Sequence, residues 1–351
     1  MAETVFIIGA GVSKQAGAPL MNDFLDRADQ LRKRWTQRNE DFDLVFRGRD
    51  ALQAAQSKAT IELVSIESVF AAFEMAGLLG ELGSLNSKEI ESLPAAMVQV
   101  IQRTLEESIS FPFTDNQIKP VQPYGTIASI VVRSTDRVNS HRVAFITFNY
   151  DLCLDYALHS NVMRPNYCLT DNESGIKLLK LHGSLNWARC PDCNKIVAWN
   201  LSDFFKQFVG PDFSSINLIK LKIAENLSKY RHCANNAPRV PFIAPPTWNK
   251  TMYHKELENV WRAAARELSD AENIIICGYS LPDTDEFFRY LYALGSIGGA
   301  GLKRFWVINP DPSVVPRFRA LCGQQANARF RHLNMTVEQA LGEIERVLIP
   351  A

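Results

Sequence analysis

No stretch of this 351-residue chain stays apolar for the roughly 18 residues that a membrane span needs. Charge of one sign is missing too: 38 Lys and Arg meet 38 Asp and Glu, so the formal net charge is zero. A general nucleic-acid or polyanion binder needs a basic surplus or stripe, so direct nucleic-acid binding is not expected. The first strand-like run begins almost at the first residue, so a signal peptide is not expected. The seven cysteines form no regular framework, so they read as core thiols or metal ligands in a reducing compartment, and the cytoplasm is the expected location. Internal repeats, low-complexity segments and an obvious glycosidase-type pair of carboxylates are also absent. What remains is an ordinary globular composition, 46% apolar and 22% charged, in a chain long enough for one elaborated domain or two.

One further absence is more informative. In "VFIIGAGVSKQAGAPLMNDF", residues 5–24, a strand-like run leads into Gly9, Gly11 and Gly17 and then Pro19. A strand entering a glycine-rich turn commonly holds a phosphate. The dinucleotide fingerprint, however, wants a third glycine where Lys14 stands, and an acidic residue ending a second strand about 20 residues on. That later region is "NDFLDRADQLRKRW", which has helical spacing and a charged face. The loop is built for some nucleotide, but not by that fingerprint.

Four apolar runs stand out: 5–9, 143–148, 273–278 and 305–309. Their hydrophobicity is continuous rather than alternating, as in parallel strands covered on both faces. Each ends in small or polar residues, where ligands of open α/β sheets bind. The expected fold is α/β, a Rossmann-like parallel sheet in a single domain over 1–351, with core segments about 1–22, 136–185 and 270–351. Residues 23–135 read as a helical insertion over the nucleotide crevice; within it Ile66, Val69, Phe70 and Phe73 make an amphipathic stripe. A second, irregular insertion spans about 186–269, with Cys190-Pro-Asp-Cys193 and a proline-rich stretch ending at Trp248.

Taken singly, each motif has a plain structural reading. The glycine loop can be only a tight turn, and "FNYD" (148–151) an Asx turn, although strand alternation would aim Asn149 and Asp151 the same way. His182 in "KLHGS" can be a satisfied structural histidine, and "GYSLPDTDEFF" (278–288) can be a turn before a helix capped by Asp283 or Thr284.

Taken in order, these motifs resemble the sirtuin family, and more closely its bacterial NAD-hydrolase branch of antiphage defence. They are the loop from Gly9 to Pro19, Thr147/Asn149/Asp151, His182/Gly183, Gly278/Ser280 and Asn309. The resemblance implies a sirtuin-type sheet that binds NAD in a sense inverted relative to dehydrogenases, so neither the third glycine nor the ribose-binding acid is required. It assigns Gly9, Ala10, Gly11 and Ser13 to the diphosphate and adjoining ribose, and Ala18 and Pro19 to the nicotinamide side. Asn149, Asp151 and His182 become the catalytic set, and Gly278, Ser280 and Asn309 hold the adenosine half. NAD is then the substrate, cleaved to nicotinamide and ADP-ribose. A homo-oligomer and a hexameric translocase-type ATPase partner are also implied.

Two departures separate the chain from deacylating sirtuins. Their Pro-Asp-Phe-Arg is replaced by Pro19-Leu20-Met21-Asn22 before Asp23-Phe24, and the nearest arginine is Arg27. Their two Cys-x-x-Cys zinc pairs shrink to Cys190, Cys193 and Cys233, with Asn236 at the place of the fourth cysteine and His232 adjoining. The irregular insertion is therefore expected to be a degenerate zinc module. An NAD-dependent protein deacylase and a non-catalytic NAD or ADP-ribose sensor are the alternatives.

Overall fold

The computed structural model describes residues 2–54, 61–135, 142–170, 174–208, 217–244, 255–282, 285–295 and 301–349. Its strands are β1 (Thr4–Ile8), β2 (Phe111–Thr114), β3 (Gln117–Ile118), β4 (Val143–Thr147), β5 (Pro165–Asn166), β6 (Ile176–Lys180), β7 (Trp187–Arg189), β8 (Ile196–Ala198), β9 (Leu218–Ile219), β10 (Asn273–Cys277), β11 (Arg304–Ile308) and β12 (Phe330–Leu333). Helices α1 (Phe24–Arg34), α2 (Glu40–Ala54), α3 (Ile66–Leu79), α4 (Ser87–Ser108), α5 (Tyr124–Thr135), α6 (Cys153–Ser160) and α7 (Leu201–Phe208) precede further helices at Glu258–Asp270, Glu286–Gly295 and Val337–Leu348. No helix among the described residues is long and apolar enough to cross a membrane.

Seven strands form one parallel sheet in the order β12-β11-β10-β1-β4-β6-β5. The fold is thus the expected one, a Rossmann-like parallel sheet carrying a large helical insertion and a smaller irregular one. Every residue of β1, β4 and β10 is buried, which explains why their sequences run apolar without alternation. Register then positions the site. Ile8 lies level with Thr147 on one side and Cys277 on the other, and Cys277 lies level with Ile308. All four following loops therefore emerge side by side at the carboxyl edge.

Two of those loops touch backbone to backbone, and glycine is what permits it. The Gly11 amide donates to the Gly278 carbonyl at 3.0 Å. A Cβ added to Gly9 would stand 2.5 Å from that same carbonyl oxygen, and one on Gly11 would stand 2.8 Å from it. The glycines of the first loop thus fit it against the third before any ligand is considered.

Helix α3 spans the stretch read as amphipathic, with Ile66, Val69, Phe70 and Phe73 buried and Gly80 in the left-handed region (φ 72°) closing it. Helix α4 begins at a reciprocal Asn86–Glu89 capping box and packs along α2. The hairpin β2–β3 turns through Asp115 and Asn116, both at positive φ, as a tight hairpin turn requires. Strand β2, the middle one of the small sheet, also pairs antiparallel with β9 of the irregular insertion. The two insertions, separate in sequence, therefore share a small sheet.

Candidate active site

The loop after β1 does not run straight into an α-helix. It folds as two 3-10 turns, Ala10–Val12 and Lys14–Ala16, and ends at Gly17 in the left-handed region (φ 97°). Lys14 is solvent-exposed on the second turn, and α1 starts only at Phe24. At the position of the fingerprint's third glycine the chain carries an exposed Lys14 on a 3-10 turn, where a side chain has room.

Ser13 is the hub of the site and is wholly buried. Its hydroxyl donates to Asp151 Oδ2 at 2.8 Å and lies 2.8 Å from the Tyr124 hydroxyl. With that proton committed to Asp151, Tyr124 is the donor in its pair with Ser13. The Asn149 amide nitrogen donates to the Gly9 carbonyl at 3.1 Å and lies 3.3 Å from both Ser13 Oγ and the Tyr124 oxygen. Asp151 Oδ1 accepts from the Cys153 amide at 2.9 Å, fixing the start of α6. Burial, followed by the Asp151 charge, pushes the Tyr124 phenol well above its ordinary range, so it remains a neutral donor.

Beside this cluster lies a narrow cavity of about 50 Å³. Ala10, Ser13, Ala18, Pro19, Asn149 and Asp151 contribute to its wall, and Phe24, Ile66, Ile101 and Leu105 of the helical insertion cover it. Of the residues selected from sequence, these are the six brought together. That volume holds a few water molecules. Arg27 does not line it; its Nε donates to Ser108 Oγ at 2.9 Å.

His182 stands beside this cavity rather than in its wall. The buried imidazole packs edge-on against Phe148, with ring centres 5.0 Å apart, and its Nε2 lies 3.6 Å from Asp285 Oδ1. Asp285 Oδ2 accepts from the Tyr279 hydroxyl at 2.8 Å, and the Tyr279 ring stacks on Phe148 at 4.6 Å. Phe148 therefore separates two polar groups, Ser13/Tyr124/Asn149/Asp151 and His182/Asp285/Tyr279.

The adenosine-side candidates sit on the far loops. Gly278 is in the left-handed region (φ 58°), and its amide donates to the Ile308 carbonyl at 3.1 Å. Asn309 donates to the Tyr279 carbonyl at 3.3 Å, tying the loops after β10 and β11 together. Ser280 is exposed, and its carbonyl accepts from Arg317 at 3.2 Å. Asp283 and Thr284, the candidate caps, lie outside the described residues, as does the proline-rich run from 245 onward.

The sequence reading missed Tyr124 and Asp285. Tyr124 follows a proline at the start of α5, and nothing local marks where its hydroxyl points. Asp285 shares its motif with two other polar residues that competed as caps.

A second cluster occupies the β7–β8 turn. Cys190, Cys193, His232 and Cys233 offer ligand atoms that all lie within 4.8 Å of one another. Tetrahedral zinc with Zn–S near 2.3 Å sets ligands roughly 3.7 Å apart, so this donor set fits zinc. The Cys190 thiol is lowered, first by the Cys193 amide donating to it, while Cys233 is raised by its neighbour Cys190. Asn236, the position read from sequence as standing in for a fourth cysteine, accepts from Arg231 Nε at 2.7 Å.

No family model and no curated protein matches the chain. Solved structures similar to it include a Sir2 homologue–NAD complex, at 16% identity and TM-score 0.45, covering 98% of this chain and 88% of that one. A Sir2 homologue mutant–ADP-ribose complex gives 17%, 0.41, 98% and 91%, and a Sir2 protein bound to a propionylated peptide gives 16%, 0.38, 98% and 92%. At identities and scores this low, the likenesses assign no residue role to this chain.

Proposed function

We propose that the chain is a sirtuin-like NAD hydrolase, releasing nicotinamide and ADP-ribose, and that it acts in antiphage defence by depleting NAD. The observation that carries this reading is the convergence of Ser13, Asn149 and Asp151 on one small, mostly apolar cavity at the carboxyl edge of a parallel sheet. Nicotinamide in NAD is already cationic and leaves as a neutral base, so the site needs no general acid. The apolar wall from Ala10, Ala18 and Pro19 suits a flat neutral ring. Asp151 stabilises the positive charge that develops on the ribose carbon. Asn149 is held through its backbone and amide nitrogen, and its amide oxygen orients the attacking water. His182, with Asp285 beside it, accepts the water's proton once Phe148, which stands between the two groups in the closed site, moves aside.

The cavity is far smaller than the 300 Å³ or more of a typical ligand pocket, so the dinucleotide enters only when the helical cover parts from the loops. Control of that opening is where a partner acts. In this reading the protein assembles as a homo-oligomer with a hexameric translocase-type ATPase in the cytoplasm, without binding nucleic acid itself. Cys190, Cys193, His232 and Cys233 hold a structural zinc, which when bound ties the β7–β8 turn to the 231–236 loop.

The test is nicotinamide release from NAD by the purified protein, alone and with its partner, alongside Asn149→Ala and His182→Ala. Release lost in both variants supports hydrolysis at this site. NAD bound but never consumed, with or without the partner, makes the protein a sensor. O-acetyl-ADP-ribose formed from an acetyl-lysine peptide makes it a deacylase.

A further inference from the structure

We propose that Lys180 is a positioning residue for this reaction, its buried ammonium clamping the Tyr150–Asp151 backbone so that Asn149 and Asp151 keep their aim. The inference rests on the hydrolase reading for its kinetic part only.

Lys180 ends β6 and is 1% exposed, a rare environment for a lysine. Its Nζ donates to the Asp151 carbonyl at 2.6 Å and to Asp155 Oδ2 at 3.0 Å, and lies 3.5 Å from the Tyr150 carbonyl. These carbonyls belong to the turn between β4 and α6, beyond the last ladder bond of β4, and buried carbonyls there need a donor from elsewhere. The Leu185 amide supplies one to Tyr150 at 3.0 Å, and Lys180 supplies the one to Asp151. Of the two residues so held, Asp151 meets Ser13 through its carboxylate, and Asn149, which precedes the clamped Tyr150, meets it through its amide.

The clamp is itself anchored. Asp155 Oδ1 accepts from the Tyr167 hydroxyl at 2.6 Å. Tyr167 lies 3.2 Å from Asn186 Nδ2, which also donates to the Trp199 carbonyl at 2.9 Å. Every member of this chain is buried. It runs from the catalytic turn to the base of the β7–β8 hairpin.

Stability does not explain the arrangement. A fully buried ion pair is commonly no better than well-packed apolar residues of the same volume. What an apolar pair cannot do is hold two consecutive carbonyls. The pair also neutralises itself, so Asp151 remains the formal charge facing the developing cation.

Lys180→Met alone would strand the Asp155 charge and unfold the chain, so the probe is the double variant Lys180→Met/Asp155→Asn, which removes both charges and keeps an acceptor for Tyr167. Two readouts are taken on ligand-free and NAD-supplied protein. Amide hydrogen exchange at Cys153 and Leu185 is expected to accelerate about tenfold or more while amides of β1 and β10 keep their protection. The kcat for nicotinamide release is expected to fall about 10- to 100-fold with KM changed by less than about threefold. Unchanged exchange at Cys153 and Leu185 overturns the clamp, as does an activity loss that merely tracks the folded fraction. If the double variant does not fold, Tyr167→Phe loosens the same anchor without removing a charge, and exchange at the two amides decides in the same way. A wild-type protein that consumes no NAD, combined with the altered exchange, removes the hydrolase reading and leaves the clamp standing.

Discussion

The Ser13 cluster and the Cys190 cluster are assembled in opposite ways. The first draws on three distant segments, the loop after β1, the start of α5 and the turn after β4. Ser13, Tyr124 and Asp151 are buried and Asn149 is half-buried, and bonds of 2.8–3.3 Å join them. The second draws on two short loops. Cys193, His232 and Cys233 are exposed, and the sulfurs of Cys193 and Cys233 reach His232 Nδ1 only at 3.5 and 3.4 Å, weak contacts for a thiol. The loop backbones are clamped, since Asp192 accepts from the Asn235 amide at 2.9 Å, and of the ligand atoms the buried Cys190 sulfur accepts from the Cys193 amide. Packing alone organises the first cluster, so its geometry exists before substrate arrives. The second converges four ligand atoms within 4.8 Å of one another, three of them on exposed residues, which is the arrangement an ion would complete.

The comparison breaks most easily at Asn149. If the first cluster is preorganised for chemistry, Asn149→Ala lowers nicotinamide release by about 10²- to 10³-fold. It should cost only about 1 kcal/mol of stability, for the lost bond to the Gly9 carbonyl. Steady-state kinetics beside thermal melts check both halves, and near-native turnover would remove Asn149 from the mechanism. The second cluster should behave the other way round. Elemental analysis is expected to find one zinc per chain, and chelation or Cys190→Ser should lower Tm by several degrees, because metal binding is coupled to folding. Turnover per folded molecule should change little. Wild-type protein that is metal-free and unmoved by chelators would mean the module stands without an ion.

The same contrast explains what could be read in advance. Strands β1, β4, β10 and β11 declared themselves because burial on both faces demands unbroken apolar runs, and α3 was legible because its buried stripe repeats at helical spacing. Ser13, Asn149 and Asp151 were legible because register forces residues just past strand ends together. The β2–β9 pairing was not, since a two-residue strand such as Leu218–Ile219 carries no period. Tyr124 acts through one hydroxyl whose direction is set by where α5 packs. Lys180 did leave a trace, a charge within the apolar run "IKLLKL", where a cation has to find a buried partner.

Tyr124→Phe sharpens the account of the first cluster. It removes the donor to Ser13 and leaves the ring packing intact, so stability should fall by about 1 kcal/mol. Release should drop about tenfold if the phenol holds Ser13 toward Asp151. An unchanged rate would mean that Asn149 and Asp151 suffice to fix the serine.

The smallest effect on turnover should come from Glu106, at the seam between the two insertions. Its buried carboxyl accepts from the Ala224 amide at 2.7 Å and the Glu225 amide at 3.3 Å, joining α4 to the irregular segment. Burial outweighs those bonds and raises its pKa from 4.5 to about 8. The folded chain therefore holds a proton that the unfolded chain releases near pH 4.5. The stability this contributes is complete below that pH and is lost as pH climbs through about 8. Glu106→Gln keeps an acceptor for the Ala224 amide and has no proton to lose. Thermal melts across this range should show the wild type losing stability with rising pH more steeply than the variant. Parallel curves would mean that the carboxylate stays ionised at the seam, with its two backbone amides outweighing burial.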